Sequence, residues 1–341
     1  MKKSTRMISL LLAGAMALGL SACGTDVNTS APESKSASSA ADASAAAHYP
    51  VTIDTFNYAK EPVQCTFEKA PERVIAFWQN SVETMLALGL EDRIICTVGV
   101  TEEDISPNLR EAYQKIKDKE YNKFSDSNAA ISKEFAVMQQ PDFILAWKSS
   151  FSDKTVGDVS YWHERGCNTY MALNSNDISA ERTVENEYQD ILTIGKIFNA
   201  EEKAEKLVAE MKEAVDKVTK ATEGQEKKKV LFIEFLGGKI QVYDKTMLAG
   251  NMVVRMGGDL LDVSGSIGAE DIINLDPDVL FVIGEKSYKG IMDDPGFTSL
   301  RARVNNQVIT VDLGDVYTSG VRTINGLNII GKALYPDLYK D

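Results

Sequence analysis

Aromatic side chains with a few cations beside them are the residues of this sequence best suited to hold a ligand. Trp78 directly follows the apolar run Val74-Ile-Ala-Phe77, and Trp147 follows Phe143-Ile-Leu-Ala146 with Lys148 next to it. Tyr243 closes the run Ile240-Gln-Val, Tyr288 follows Lys286-Ser287, and Tyr317 opens the segment Tyr317-Thr-Ser-Gly-Val-Arg322. Rings at the ends of apolar runs can stack on a flat ligand, or they can pack in the core or between lobes. The Arg322 guanidinium can take a pair of carboxylate or catecholate oxygens in bidentate fashion, its alternative being an ordinary surface ion pair. As a set, Trp78, Trp147, Lys148, Tyr243, Tyr288, Tyr317 and Arg322 match an apolar, anionic chelate.

Residues for catalysis are harder to find. No Gly-x-Gly-x-x-Gly follows an early strand, and Phe77-Trp-Gln-Asn-Ser81 has no glycine to admit a pyrophosphate. There is no Gly-x-Ser-x-Gly, and the only histidines are His48 and His163. The expectation is a protein that is not an enzyme. Two histidines far apart also serve direct metal binding poorly, so a metal should arrive already chelated, with no metal ligands from the chain. Haem stays open, since Met or Tyr can be an axial ligand, but no residue is singled out for it.

The start of the chain carries Lys2, Lys3 and Arg6, then an almost wholly apolar stretch from Met7 to Leu20, then Leu20-Ser21-Ala22-Cys23. That order reads as a secretory signal over residues 1–22, too short to span a bilayer, which takes about 20 apolar residues. Residues 23–48 are dominated by Ser, Ala, Thr and Asp and read as a flexible tether, because they cannot bury enough surface to offset the entropy of ordering. The net charge of −13 argues against nucleic acid or an anionic membrane surface as the main partner. Beyond Cys23, Cys65, Cys96 and Cys167 are an odd set without metal-site spacing; one disulfide or three buried thiols both fit.

The elements that must position the site follow from a repeat. Glu134 to Trp147 and Glu270 to Ile283 each place a glutamate seven residues before Pro-Asp, at Pro141-Asp142 and Pro277-Asp278, and an apolar run follows. Each copy reads as a short helix broken by proline and then a parallel strand buried on both faces. Further strands are expected at Val74–Phe77, Ile94–Val98, 169–173, Val230–Ile233, 240–243 and Val308–Val311, alternating with helices. In the middle, Ala204, Leu207, Val208, Met211, Val215 and Val218 form one apolar stripe, with Asn199 as cap and Glu202 in a capping box. A helix over these residues would be roughly 33 Å long and could bridge two lobes. The expected organisation is an N-terminal α/β lobe at 49–198, a bridging helix at 199–224 and a C-terminal α/β lobe at 225–341.

In order and spacing these pieces resemble the periplasmic binding proteins for ferric siderophores, haem and cobalamin. The resemblance covers nearly all of the chain after the tether and runs through Ala70-Pro-Glu-Arg73, Glu83 to Gly89, both Pro-Asp units, Asp190 to Gly195, Met256-Gly-Gly258 and Gly331 to Pro336. It implies an α/β fold of two Rossmann-like lobes with central parallel sheets joined by one long helix. It implies capture of an iron-siderophore or similar bulky metal chelate between the lobes, and delivery to an ABC permease dimer with its ATPase. In such proteins a glutamate on each lobe docks onto permease arginines, and Glu134 and Glu270 occupy the matching positions; both also suit helix N-termini as acids. The N-terminus resembles a bacterial lipoprotein signal, which would make Cys23 the lipidated residue and place a monomer outside the cytoplasm, held to the membrane by that lipid. No other covalent cofactor is expected. Haem or cobalamin in the same cleft, and a sensor or adhesin lipoprotein, are the alternatives. A single connecting helix predicts only modest closure of the lobes.

Overall fold

Short apolar runs bounded by glycine and polar residues become the strands of two separate sheets. The computed structural model describes residues 48–117, 131–175 and 178–340. The expected signal, Cys23 and the tether up to residue 47 lie outside the described residues. The first half contains strands β1 Val51–Phe56, β2 Pro62–Phe67, β3 Val74–Phe77, β4 Ile94–Val98, β5 Phe143–Ala146 and β6 Asn168–Met171. Its helices are α1 Trp78–Ala87, α2 Arg110–Gln114, α3 Lys133–Met138, α4 Val159–His163 and α5 Val184–Ile197, and α6 Glu201–Ala221 leads out of it. The second half contains β7 Lys229–Leu236, β8 Lys239–Val242, β9 Asp259–Leu260, β10 Ser266–Ile267, β11 Val279–Ile283 and β12 Val308–Val311. Its helices are α7 Leu248–Arg255, α8 Ala269–Leu275, α9 Gly284–Met292, α10 Arg301–Val304 and α11 Thr323–Leu334.

The first sheet has the order β4-β3-β5-β6 and is parallel throughout. The second runs β10-β8-β7-β11-β12, with β9 beside β7, and is mixed. Strands β7, β11 and β12 are parallel as expected, but β8 pairs antiparallel with both β7 and β10. The cause is local. Only Gly237 and Gly238 separate β7 from β8, and both take left-handed φ angles, 59° and 79°, which make a two-residue hairpin. A parallel return would need a crossover of about a dozen residues or more. The hairpin β1/β2 is a further element, outside the expected set; its alternation of buried Val51, Ile53 and Thr55 with exposed Thr52 and Asp54 lays it against β6, where the Thr55 hydroxyl accepts the Met171 N–H at 3.2 Å.

The repeat has a mechanical meaning. Asp142 accepts the main-chain N–H groups of Glu72 and Arg73 at 2.8 Å, just ahead of β3, and Asp278 accepts the Lys229 N–H at 2.8 Å at the start of β7. Each Pro-Asp aspartate therefore sets the position of the neighbouring central strand. The residues before the prolines, Gln140 and Asp276, are both left-handed, with φ of 49° and 40°, and end their helices there.

Strand residues alternate between one shared core and a separate core in each lobe. Val74, Ala76, Phe143 and Leu145 of the first sheet, with Val230, Phe232, Val279 and Phe281 of the second, face one continuous core that includes Ala204, Val208, Met211, Val215 and Val218 of α6. Ile75, Phe77, Ile144 and Ala146 face a separate core in the first lobe, and Leu231, Ile233, Leu280 and Val282 one in the second. Both sheets thus share packing with the long helix. Asn199 does not cap that helix. It is the left-handed residue, φ 53°, that ends α5, where the Ala200 N–H reaches the Gly195 carbonyl at 2.8 Å. Ala200 stands at the helix start without a side-chain cap. Cys65, Cys96 and Cys167 are all buried free thiols.

Candidate ligand-binding site

A cleft of about 740 Å³ opens where loops after β3, β4 and β5 meet the segment after β12. Loops beyond the carboxyl ends of parallel strands are where open α/β sheets bind ligands. Its wall is aromatic. Trp78 and Trp147 stack with ring centroids 4.6 Å apart and planes 18° from parallel, and Tyr317 leans on Trp147 at 5.8 Å and 43°. Both indole N–H groups are committed inward, Trp147 to Asn80 Oδ1 at 2.8 Å and Trp78 to Ser150 Oγ at 3.3 Å. Trp147 and Tyr317 are half-buried, whereas Trp78 is only 9% exposed and backs the wall. Trp78 takes φ of 68° at the junction of β3 and α1, a left-handed conformation that is rare for a bulky residue and turns the chain sharply at the cleft.

Arg322 reaches the same cleft, but its guanidinium is held by the protein. Nε and Nη2 donate to the two carboxylate oxygens of Glu83 at 2.8 and 2.9 Å, and Nη2 also meets the Asp104 carbonyl. Glu83 is fully buried on α1 and takes further bonds from Gln79 Nε2 at 2.6 Å and the Ser106 N–H at 2.5 Å. Burial pulls the Arg322 pKa down, and the bonds and charge of Glu83, with Asp315 and Asp312 nearby, outweigh it and leave the pKa raised. The guanidinium is thus the second half of a buried bidentate pair between the lobes, neither an open anion receptor nor a surface ion pair.

A second buried glutamate holds the same segment. Glu187 of α5 accepts the Gly320 N–H at 2.6 Å, the Ser319 N–H at 3.2 Å and Asn174 Nδ2 at 2.7 Å. Burial pushes its pKa up to about 7 against those three donors. Gly320 is required here: its φ is 53°, and a Cβ would lie 2.7 Å from Thr84 Oγ1 and 2.9 Å from the Asn80 carbonyl oxygen.

Comparison with known proteins agrees with this architecture. The description "periplasmic binding protein" matches residues 164–313. The crystal structure of a periplasmic binding protein from Veillonella parvula DSM 2008 is 34% identical, with a TM-score of 0.78, over 85% of this chain and 93% of that one. The chain belongs to the periplasmic binding protein family. It is also similar to the ABC transporter substrate-binding lipoprotein YvrC of Bacillus subtilis (strain 168), 27% identical over 300 residues, 86% of this chain and 88% of that protein. The petrobactin-binding protein YclQ of the same organism is 26% identical over 269 residues, 74% of this chain and 78% of that protein.

Four of the expected site residues of this periplasmic binding protein, Trp78, Trp147, Tyr317 and Arg322, come together in the cleft. Three others lie outside its lining. Lys148 turns away and sits over the Tyr58 ring at 4.4 Å. Tyr243 is buried and donates to Glu234 at 2.6 Å, and Tyr288 lies in α9 against the core of the second lobe. Glu134 and Glu270 are both exposed in the first turns of α3 and α8, the two copies of the repeat. Hydrogen bonds at the helix start and from Ser132 hold the Glu134 carboxyl below its ordinary range. The cleft also draws on residues outside the expected set, among them Glu103, Asp104, Arg110, Asp312 and Asp315. They follow β4 and β12, so the strand-end rule applied to those two strands would have found them. Among the described residues no group of three His, Cys, Asp or Glu is disposed to hold a metal ion.

Proposed function

We propose that this periplasmic binding protein is the solute-binding component of an ABC importer, capturing an iron-siderophore or similar bulky metal chelate between its lobes for delivery to a permease. The observation that carries the reading is the stacked Trp78–Trp147 wall with Tyr317 beside it, set in a cleft large enough for a chelate. The names of YvrC and YclQ point the same way. Cys23 would carry the lipid that keeps the domain outside the cytoplasm and close to the permease. Glu134 and Glu270 would dock onto basic residues of a two-fold partner; Val137 and Ile273, three residues further along the same helices and also exposed, would add apolar contact.

The test is tryptophan fluorescence of the detergent-solubilised chain against ferric siderophores, haem and cobalamin. Saturable quenching by one metal chelate, lost on Trp147→Ala, is the expected outcome. If no member of the panel quenches, the importer reading gives way to that of a sensor or adhesin.

A further inference from the structure

Arg110 brings a guanidinium to the cleft with only part of its donors committed. It is exposed, opens α2 and lines the cleft on the stretch that follows β4. Nε donates to the Ile105 carbonyl at 3.0 Å and Nη2 to the Glu103 carbonyl at 3.4 Å. Arg322 spends the same side-on pair of nitrogens on Glu83, but the acceptors differ. Carbonyls are neutral, so they orient Arg110 and leave its charge in place, whereas Arg322 meets the Glu83 carboxylate and has Asp312 at 3.7 Å. The end-on edge of Arg110, Nη1 with the second hydrogen of Nη2, has no partner among the described residues.

The stretch that orients this guanidinium is itself held in place. Glu83 accepts the Ser106 N–H at 2.5 Å, Arg322 Nη2 meets the Asp104 carbonyl, and the Ile105 side chain is buried. The acids of the lining are engaged elsewhere: Glu103 has a partner of its own, Asp312 pairs with Arg322, Asp104 accepts the Thr101 N–H and hydroxyl at 2.7 and 2.9 Å, and Asp315 accepts from Asn325 at 3.3 Å. A planar guanidinium anchored on one edge by main-chain carbonyls gives up little further freedom when its other edge meets a ligand, and that edge matches a pair of oxyanion oxygens. We propose that Arg110 is the anion contact of the cleft, its end-on fork taking two carboxylate or catecholate oxygens of the bound chelate while the aromatic wall packs on the chelate's apolar part. This rests on the reading of the cleft as a chelate site and names the residue by which it distinguishes among chelates.

The experiment follows tryptophan quenching of the detergent-solubilised full chain by three probes: a ferric tris-catecholate, a ferric α-hydroxycarboxylate chelate and a neutral ferric trihydroxamate. Wild type should bind at least one of the two oxyanionic probes. Arg110→Gln should weaken that binding by about tenfold or more and change binding of the neutral chelate by less than about threefold. Arg110→Lys, which keeps the charge but not the fork, should fall between wild type and Arg110→Gln for the oxyanionic probe. Thermal melts of both variants should stay close to that of wild type, since Arg110 is exposed. Wild type that binds only the neutral chelate, an oxyanionic probe that binds Arg110→Gln as tightly as wild type, or equal losses for charged and neutral chelates overturns the assignment of Arg110 and leaves the chelate reading standing. If none of the three probes quenches wild type and neither haem nor cobalamin does, both readings fall together.

Discussion

The Glu187 carboxylate accepts the main-chain N–H of Gly320 at 2.6 Å, and two residues further along the same segment Arg322 grips Glu83. Two buried acids, from α5 and α1, therefore hold one short stretch of the second lobe against the first. That stretch forms part of the cleft wall, so the same bonds fix lobe spacing and site shape.

Glu187 makes stability depend on pH. Its pKa rises from an ordinary 4.5 to about 7 in the fold, so the folded state holds this proton more tightly than the unfolded chain. The associated stabilisation is full below pH 4.5 and is lost as pH rises to about 7, a loss on the order of 3 kcal/mol. Urea unfolding of wild type and Glu187→Gln across pH 4 to 8 isolates it. The variant starts from a different baseline, having lost an acceptor for Gly320, but the gap between the two proteins should move against wild type as pH rises. A gap that stays constant with pH would show that Glu187 does not titrate in this range.

The Glu83–Arg322 pair is expected to be costly to break on one side only. Arg322 is 13% exposed and Glu83 fully buried, so Glu83→Ala leaves a desolvated guanidinium and should destabilise by about 3–5 kcal/mol. Replacing both, as Glu83→Leu with Arg322→Met, should recover most of that loss, because neither charge is then left alone. Denaturant melts of the two single variants and the double variant check this, and additive losses would contradict it.

Gly320→Ala should cost about 2 kcal/mol or more, combining a left-handed alanine with a Cβ pressed against Thr84 and the Asn80 carbonyl. Asn80 also accepts the Trp147 indole N–H, so the aromatic wall should shift with it. Urea melts report the first effect and a change in tryptophan emission maximum the second. Unchanged emission in a destabilised variant would separate the joint from the wall.

Much of the fold was legible in the sequence because its signals are local. The strands at Val74–Phe77, Ile94–Val98 and Val308–Val311 form over the expected residues, since short apolar runs between breakers have few other fates. Gly237-Gly238 carried the hairpin that makes the second sheet mixed, and the alternation in Val51–Phe56 carried the first hairpin; both were readable signals. Asn199 misled because the end of one helix and the start of the next compete for the same residue. What no local signal could give is the partner of Arg322. Glu83 lies 239 residues earlier, and only the packing of both sheets on α6 brings the two together. For the same reason an arginine suited to bind an anion turned out to be already engaged.

Glu134 and Glu270 pose the remaining question, since a charged first-turn residue can serve its own helix or a partner. Both lie in the first turns of equivalent helices, and neither lines the cleft. Reversing both, as Glu134→Lys with Glu270→Lys, should therefore leave solution affinity for the chelate unchanged while uptake by whole cells falls by more than about tenfold, because like charges would then face the permease. Each single reversal should give a partial loss, as expected for two contacts on a two-fold partner. Equal losses of affinity and uptake would place these carboxylates in the binding site or the fold instead, and normal uptake by the double variant would remove them from the docking surface.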